Sequence, residues 1–104
     1  MAAKIIWAPS ALTDLQEITA HIAADNRSAA LALGAWFVET GEQAGAFPRL
    51  GKIFRKAGAF EHRELIAGNY RLIYRYDEPR GLVVLLRIWH GARGEPQIPH
   101  FDAP

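Results

Sequence analysis

The sequence contains no cysteine, a single methionine and no long apolar run. Without cysteine there is no disulfide framework, thiol nucleophile or thiolate metal site, so packing alone must hold any core together. That composition suits a reducing compartment, and a cytoplasmic location is the expectation. No apolar stretch approaches the roughly 20 residues that a membrane span needs. The opening segment meets Pro9 too early to form a secretory signal. No three histidines or acids stand at metal-ligand spacing, so neither a metal nor another cofactor is expected. A phosphate-binding glycine loop and a Gly-x-Ser-x-Gly elbow are also missing.

The chain is 104 residues long and half of them are hydrophobic, which suits one small domain spanning residues 1–104. Its net charge of +1 hides an uneven distribution. Residues 1–48 carry Lys4 and Arg27 against Asp14, Glu17, Asp25, Glu39 and Glu42, a balance of −3. Residues 49–93 carry ten Lys and Arg against Glu61, Glu64, Asp77 and Glu78, a balance of +6. A basic second half points to an anionic partner, either nucleic acid or an acidic protein, unless it is an ordinary solvated surface.

The pattern of elements is βααβββ. Lys4 to Ala8 is a short β-rich run stopped by Pro9, with Ser10 as the helix N-cap candidate. Leu12, Leu15, Ile18 and Ile22 then recur at helical spacing, with Asp14, Glu17 and His21 elsewhere on the wheel. Asp25-Asn26 breaks this helix, and Asn26 can cap a second one over about residues 27–44. In that second helix Ala30, Leu33, Phe37 and Ala44 share a face. Gly34 and Gly41 weaken it intrinsically, so neighbours must hold it in place. Phe47 to Gly51 is a loop. Phe60–Ile66, Tyr70–Tyr76 and Leu82–Trp89 read as strands, the last nearly all apolar and so buried on both faces. On the middle strand Tyr70, Leu72, Tyr74 and Tyr76 face one way and Arg71, Ile73 and Arg75 the other. Residues 91–104 form an irregular, proline-bearing tail. The result is an α+β domain, a small antiparallel sheet with the helical hairpin on one face. Leu12, Leu15, Ile18, Ile22, Leu33, Phe37, Leu72, Val84 and Leu86 are its expected core.

Several stretches resemble the ParE branch of the RelE/ParE toxin superfamily, whose members include plasmid stabilisation toxins. Trp7-Ala8-Pro9-Ser10-Ala11 with Asp14-Leu15 and Ile18 is similar to the family's opening motif. Ile22-Ala23-Ala24-Asp25-Asn26-Arg27 is similar to its hairpin turn, with Arg27 where proline is common. Phe47-Pro48-Arg49-Leu50-Gly51-Lys52, Arg63-Glu64-Leu65, Tyr70-Arg71-Leu72-Ile73-Tyr74-Arg75 and Leu86 to Arg93 follow in family order. The likeness covers roughly residues 5–93. It implies the toxin half of a type II toxin–antitoxin module, neutralised by a ParD-like antitoxin that is helical and partly disordered. A homodimer or heterotetramer is the implied assembly.

The same resemblance offers two targets. ParE-type members poison DNA gyrase, whereas RelE-type members cut mRNA on the ribosome. Cleavage by 2′-hydroxyl attack needs a base, an acid and cations around the pentavalent phosphate. The nuclease members' cationic positions match Arg71 and Arg93, and His90 stands near a place where related nucleases carry a histidine. Their Lys-x-Lys pair falls on His62 and Glu64, and their catalytic tyrosine falls on Pro99, which has no proton to give. Arg71, His90 and Arg93 are therefore an incomplete nuclease set, and a gyrase inhibitor without enzymatic activity is the leading expectation, ahead of a ribosome-dependent endoribonuclease and of a non-toxic homologue that only binds its antitoxin. Arg63, Arg71, Arg75 and Arg87 are the candidates for binding target or antitoxin through salt-sensitive contacts. The bland alternatives are that Arg71 pairs with Glu64 across a hairpin, that His90 holds the tail, and that the tyrosines and Trp89 are core.

Overall fold

A computed structural model describes residues 2–103. Its elements are β1 (Lys4–Trp7), α1 (Pro9–Ala23), α2 (Arg27–Ala46), β2 (Lys52–Ala57), β3 (Phe60–Ala67), β4 (Tyr70–Asp77) and β5 (Leu82–His90), with a 3₁₀ turn at Gly91–Arg93. The strands form one sheet in the order β1-β5-β4-β3-β2. The α+β class and the hairpin on one face are as expected. The strand count is not, because Lys52–Ala57 adds a fifth strand at the edge. Nor is the sheet wholly antiparallel: β1 runs parallel to β5, and the remaining neighbours are antiparallel. The new strand escaped notice because its register with β3 shifts between Ile53 and Arg55, which destroys any clean alternation. Among the described residues no helix is long and apolar enough to cross a membrane.

The helix ends differ in how they are closed. Asn26 caps α2 as its sequence position suggests, accepting a hydrogen bond from the Ala29 N–H at 3.0 Å. Ser10 does not cap α1. Ala8 is the N-cap residue and Pro9 occupies the first helical position, where a missing N–H costs nothing. The Ser10 hydroxyl instead donates to the Leu86 carbonyl at 2.6 Å, tying α1 to β5.

Along β4 the alternation holds. Tyr74, Tyr76, Val83 and Leu85 join Ala11 and Ala44 in one buried cluster, and Phe37, Ala67, Leu72 and Ile88 form another beneath the hairpin. Leu15, Ile18 and Leu33 are half-buried against the second cluster. Leu12 is a correction: it is 44% exposed, because α1 turns Ala11 and Asp14 toward the sheet instead. On the opposite face Ile98, Phe101 and Ala103 of the tail pack over Leu82, Val84 and Leu86, so the irregular tail is still part of the core.

Close helix–sheet contact explains two of the glycines of α2, Gly41 and Gly45. A Cβ on Gly41 would stand 2.8 Å from Leu85 Cδ1, and one on Gly45 would stand 2.4 Å from Ile5 Cδ1. Both positions trade helix propensity for approach to the sheet.

Candidate functional site

Four arginines were singled out for binding, and each has a distinct setting. Arg63 on β3 is buried. Its Nη1 donates to the Gly51 carbonyl at 2.6 Å and the Arg49 carbonyl at 3.1 Å, and its Nε and Nη2 donate to Glu61 at 3.2 and 3.0 Å. With Tyr74, whose hydroxyl donates to the Pro48 carbonyl at 2.7 Å and accepts from Gly51 N–H at 2.9 Å, it pins the loop before β2. Burial pushes the Tyr74 phenol above its ordinary value, so it stays protonated and able to donate.

Arg87 on β5 is clamped by Asp14 of α1. Its Nε and Nη2 donate to the two carboxylate oxygens at 2.8 and 2.9 Å, and Ile88 N–H adds a third bond at 2.9 Å. Asp14 had been placed away from the core on the helical wheel, yet it is nearly buried and fastens α1 to the sheet. A lone carboxylate between apolar helix positions was the available signal. Arg87 Nη1 also donates to the Gln97 carbonyl of the tail at 2.9 Å.

Arg71 and Arg75 lie on the face turned away from the hairpin. Arg71 meets Glu64: both Nε, at 2.9 Å, and Nη2 donate to the same carboxylate oxygen. The guanidinium also sits over the Phe54 ring, 5.8 Å from its centroid. Arg75 is buried, lies over the Phe60 ring at 4.5 Å, and donates from Nη1 to the Phe101 carbonyl at 2.9 Å.

The nuclease candidates are only partly brought together. Arg71 and His90 line one surface hollow of about 400 Å³ beside the Gly68-Asn69 turn. His90 accepts from Ala92 N–H at 3.1 Å through Nδ1, closing the 3₁₀ turn, and its ring meets Tyr70 edge-on at 5.1 Å. Arg93 is outside that hollow, with its guanidinium 3.9 Å from the Trp89 ring centroid. Tyr74, Tyr76 and Trp89 are all buried, which makes them core residues and not a stacking platform.

Sequence periodicity does not reveal a further concavity. It is a groove of about 770 Å³ along the outer side of the hairpin, between α1 and α2. Its lining combines small residues, among them Thr19, Ala20 and Gly34, with the larger apolar Leu31 and Val38. Leu31 is 75% exposed. Val38, on the same lining, is 41% exposed.

Comparison with known proteins fits this architecture. Three solved structures share it. The toxin–antitoxin complex RelBE2 from Mycobacterium tuberculosis matches with a TM-score of 0.61 and 26% identity, covering 86% of this chain and 92% of that one. The archaeal RelE–RelB complex from Pyrococcus horikoshii matches at 0.68 and 15% identity, covering 90% and 100%. The chromosomal ParDE system of Pseudomonas aeruginosa matches at 0.66 and 18%, covering 86% and 96%. At 15% and 18% identity the last two speak for the fold alone. No curated protein sequence matches the chain. The family model of the ParE toxin of the type II toxin–antitoxin system parDE spans residues 5–94, nearly the whole chain, and the chain therefore belongs to the ParE toxin family.

Proposed function

We propose that this toxin is a non-enzymatic inhibitor of DNA gyrase, kept inactive by a ParD-like antitoxin. The observation that supports this reading is the Glu64–Arg71 pair. Arg71 is the cation that would face a pentavalent phosphate in a nuclease. Glu64 stands where the nuclease members carry a lysine, and its carboxylate cancels the Arg71 charge instead of adding to it. With Pro99 in place of a catalytic tyrosine, that position also lacks the proton donor that cleavage needs.

The hairpin groove is the proposed seat of the antitoxin. The three solved structures described above come from toxin–antitoxin pairs. The groove is long and apolar, lined in part by small residues, and has Arg27 and Glu39 on its lining. An amphipathic helix fits such a surface with its apolar side inward. Arg63, Arg71 and Arg87 already hold carboxylates of this chain, so apolar burial and not arginine pairing carries most of the affinity.

Ribosome-dependent mRNA cleavage is the second reading, favoured by the hollow that Arg71 and His90 share. Purified toxin added to a gyrase supercoiling reaction and, in parallel, to programmed ribosomes separates the two. Loss of supercoiling with intact mRNA is expected. Cut mRNA with normal supercoiling would overturn the proposal.

A further inference from the structure

On the face turned from the hairpin, three strands place two arginines on either side of a buried histidine. Arg55 of β2 is the register partner of His62 of β3, and His62 is the partner of Arg75 of β4. Burial and the two flanking cations hold the histidine away from its charged form. The nearby acids are engaged elsewhere: Glu61 with Arg63, Glu64 with Arg71, Asp77 with Arg80 and Asp102 with His100. Neither Arg55 nor Arg75 has an ion pair among the described residues.

Two buried atoms of this row lack any hydrogen-bond partner, His62 Nδ1 and Arg75 Nε. Their residues are 6% and 5% exposed. Both residues line a pocket of about 220 Å³ together with Arg55, Phe60, Leu86 and, from the tail, Pro99 and His100. Arg75 is held by the Phe101 carbonyl and the Phe60 ring, which leaves its Nε uncommitted. Buried polar groups without partners are rare and each calls for an explanation.

We propose that this pocket binds one phosphate-class oxyanion, seated between the Arg55 and Arg75 guanidinium groups and in contact with His62. Its size rules out a helix or a folded segment but admits a single oxyanion. The donors stand on three adjacent strands, Arg55 on β2, His62 on β3 and Arg75 on β4. A tetrahedral phosphate accepts in several directions, whereas a carboxylate accepts in one plane, and guanidinium groups match phosphate well. A bound anion would offset the charge of the two arginines and give Arg75 Nε an acceptor. It would also reverse the present setting of His62, whose pKa is lowered by burial and then by Arg55 and Arg75. Free phosphate and the phosphodiester of a nucleic acid present the same chemistry here. The pocket shares His62 and Pro99 with the positions weighed in the gyrase reading, but binding an anion here requires no cleavage and does not depend on that reading.

The test is a titration of the intact chain with inorganic phosphate at fixed ionic strength, followed by NMR at the His62 ring and the Arg75 Nε–H. Saturable shifts at both groups and a raised His62 pKa are expected. Arg55 is exposed, so Arg55→Gln should fold normally and weaken phosphate by about tenfold, the scale of one charge-assisted hydrogen bond. A short single-stranded oligonucleotide in a second arm identifies the source. Tighter binding than inorganic phosphate with the same shifts assigns the pocket to a phosphodiester, and weaker binding assigns it to the free anion. Three results would overturn the site: no saturable shift beyond that of chloride, equal binding of acetate, or unchanged phosphate affinity in Arg55→Gln.

Discussion

Asp14 accepts three hydrogen bonds from β5, two from the Arg87 guanidinium and one from the Ile88 amide. Replacing it with Ala strands a largely buried cation and a buried N–H together, so Asp14→Ala should cost about 3 kcal/mol, the lower end for breaking a buried pair on one side. A urea unfolding midpoint unchanged from the parent protein would contradict that assignment. His62 makes a different prediction. Its pKa is held below the ordinary 6.5 by burial, then by Arg55 and Arg75. The folded chain thus prefers the neutral ring. Above pH 6.5 both states are neutral and the ring's contribution to stability is fully present. As pH falls through 6.5 the unfolded chain takes the proton first, and stability declines until the folded pKa is reached. Unfolding free energies measured across that window should slope in the parent and flatten in His62→Asn, and identical slopes would count against the burial argument. Neither role was legible in the sequence. Asp14 read as a solvent-side position because one helix turn does not say which neighbour a carboxylate will meet. His62 gains its meaning only from register partners seven and thirteen residues away in the chain, which strand pairing alone reveals.

At the scale of elements, the helical hairpin carries two tests. The first lies on its outer side, where Leu31 is exposed and lines the groove. Burying a leucine beneath a partner is worth about 2 kcal/mol, so Leu31→Glu should weaken antitoxin binding by about thirtyfold while leaving the fold intact. Calorimetry with the antitoxin's toxin-binding segment reads it directly, and an undiminished affinity would move the docking surface elsewhere. The second lies on its inner side. Alanine is the better helix former by about 1 kcal/mol, yet Gly45→Ala should destabilise, because its Cβ would meet Ile5 at 2.4 Å. Overpacking of this sort costs about 1–3 kcal/mol, and a raised melting temperature in Gly45→Ala would refute the close approach. Both helices, β1 and the three later strands were legible because their periodicities are regular and their turns carry Asp25-Asn26, Gly68-Asn69 and Pro79-Arg80-Gly81. The edge strand β2 was not legible. Lys52, Arg55 and Lys56 make it too charged to resemble a core strand, and charge of that kind is what an edge strand needs to resist pairing with other chains.

Across the whole molecule the charge split takes on a more definite shape. Of the basic residues in the second half, Arg49, Arg63, Arg71, Arg80 and Arg87 already sit in ion pairs. The remaining excess gathers on β2 and along the Arg55–His62–Arg75 row, opposite the apolar groove. The molecule therefore offers two unlike surfaces, one apolar on the hairpin and one cationic on the open sheet face. The antitoxin reading draws on the first and the oxyanion pocket on the second. The gyrase reading rests on a sheet face that holds Arg71 neutralised by Glu64 and lacks a proton donor at Pro99. The most direct test of that claim is a DNA supercoiling time course with purified gyrase and toxin, with antitoxin added midway. Inhibition that deepens with toxin concentration and is relieved at about one antitoxin per toxin is the predicted result; supercoiling that proceeds at the uninhibited rate with toxin in excess would contradict it.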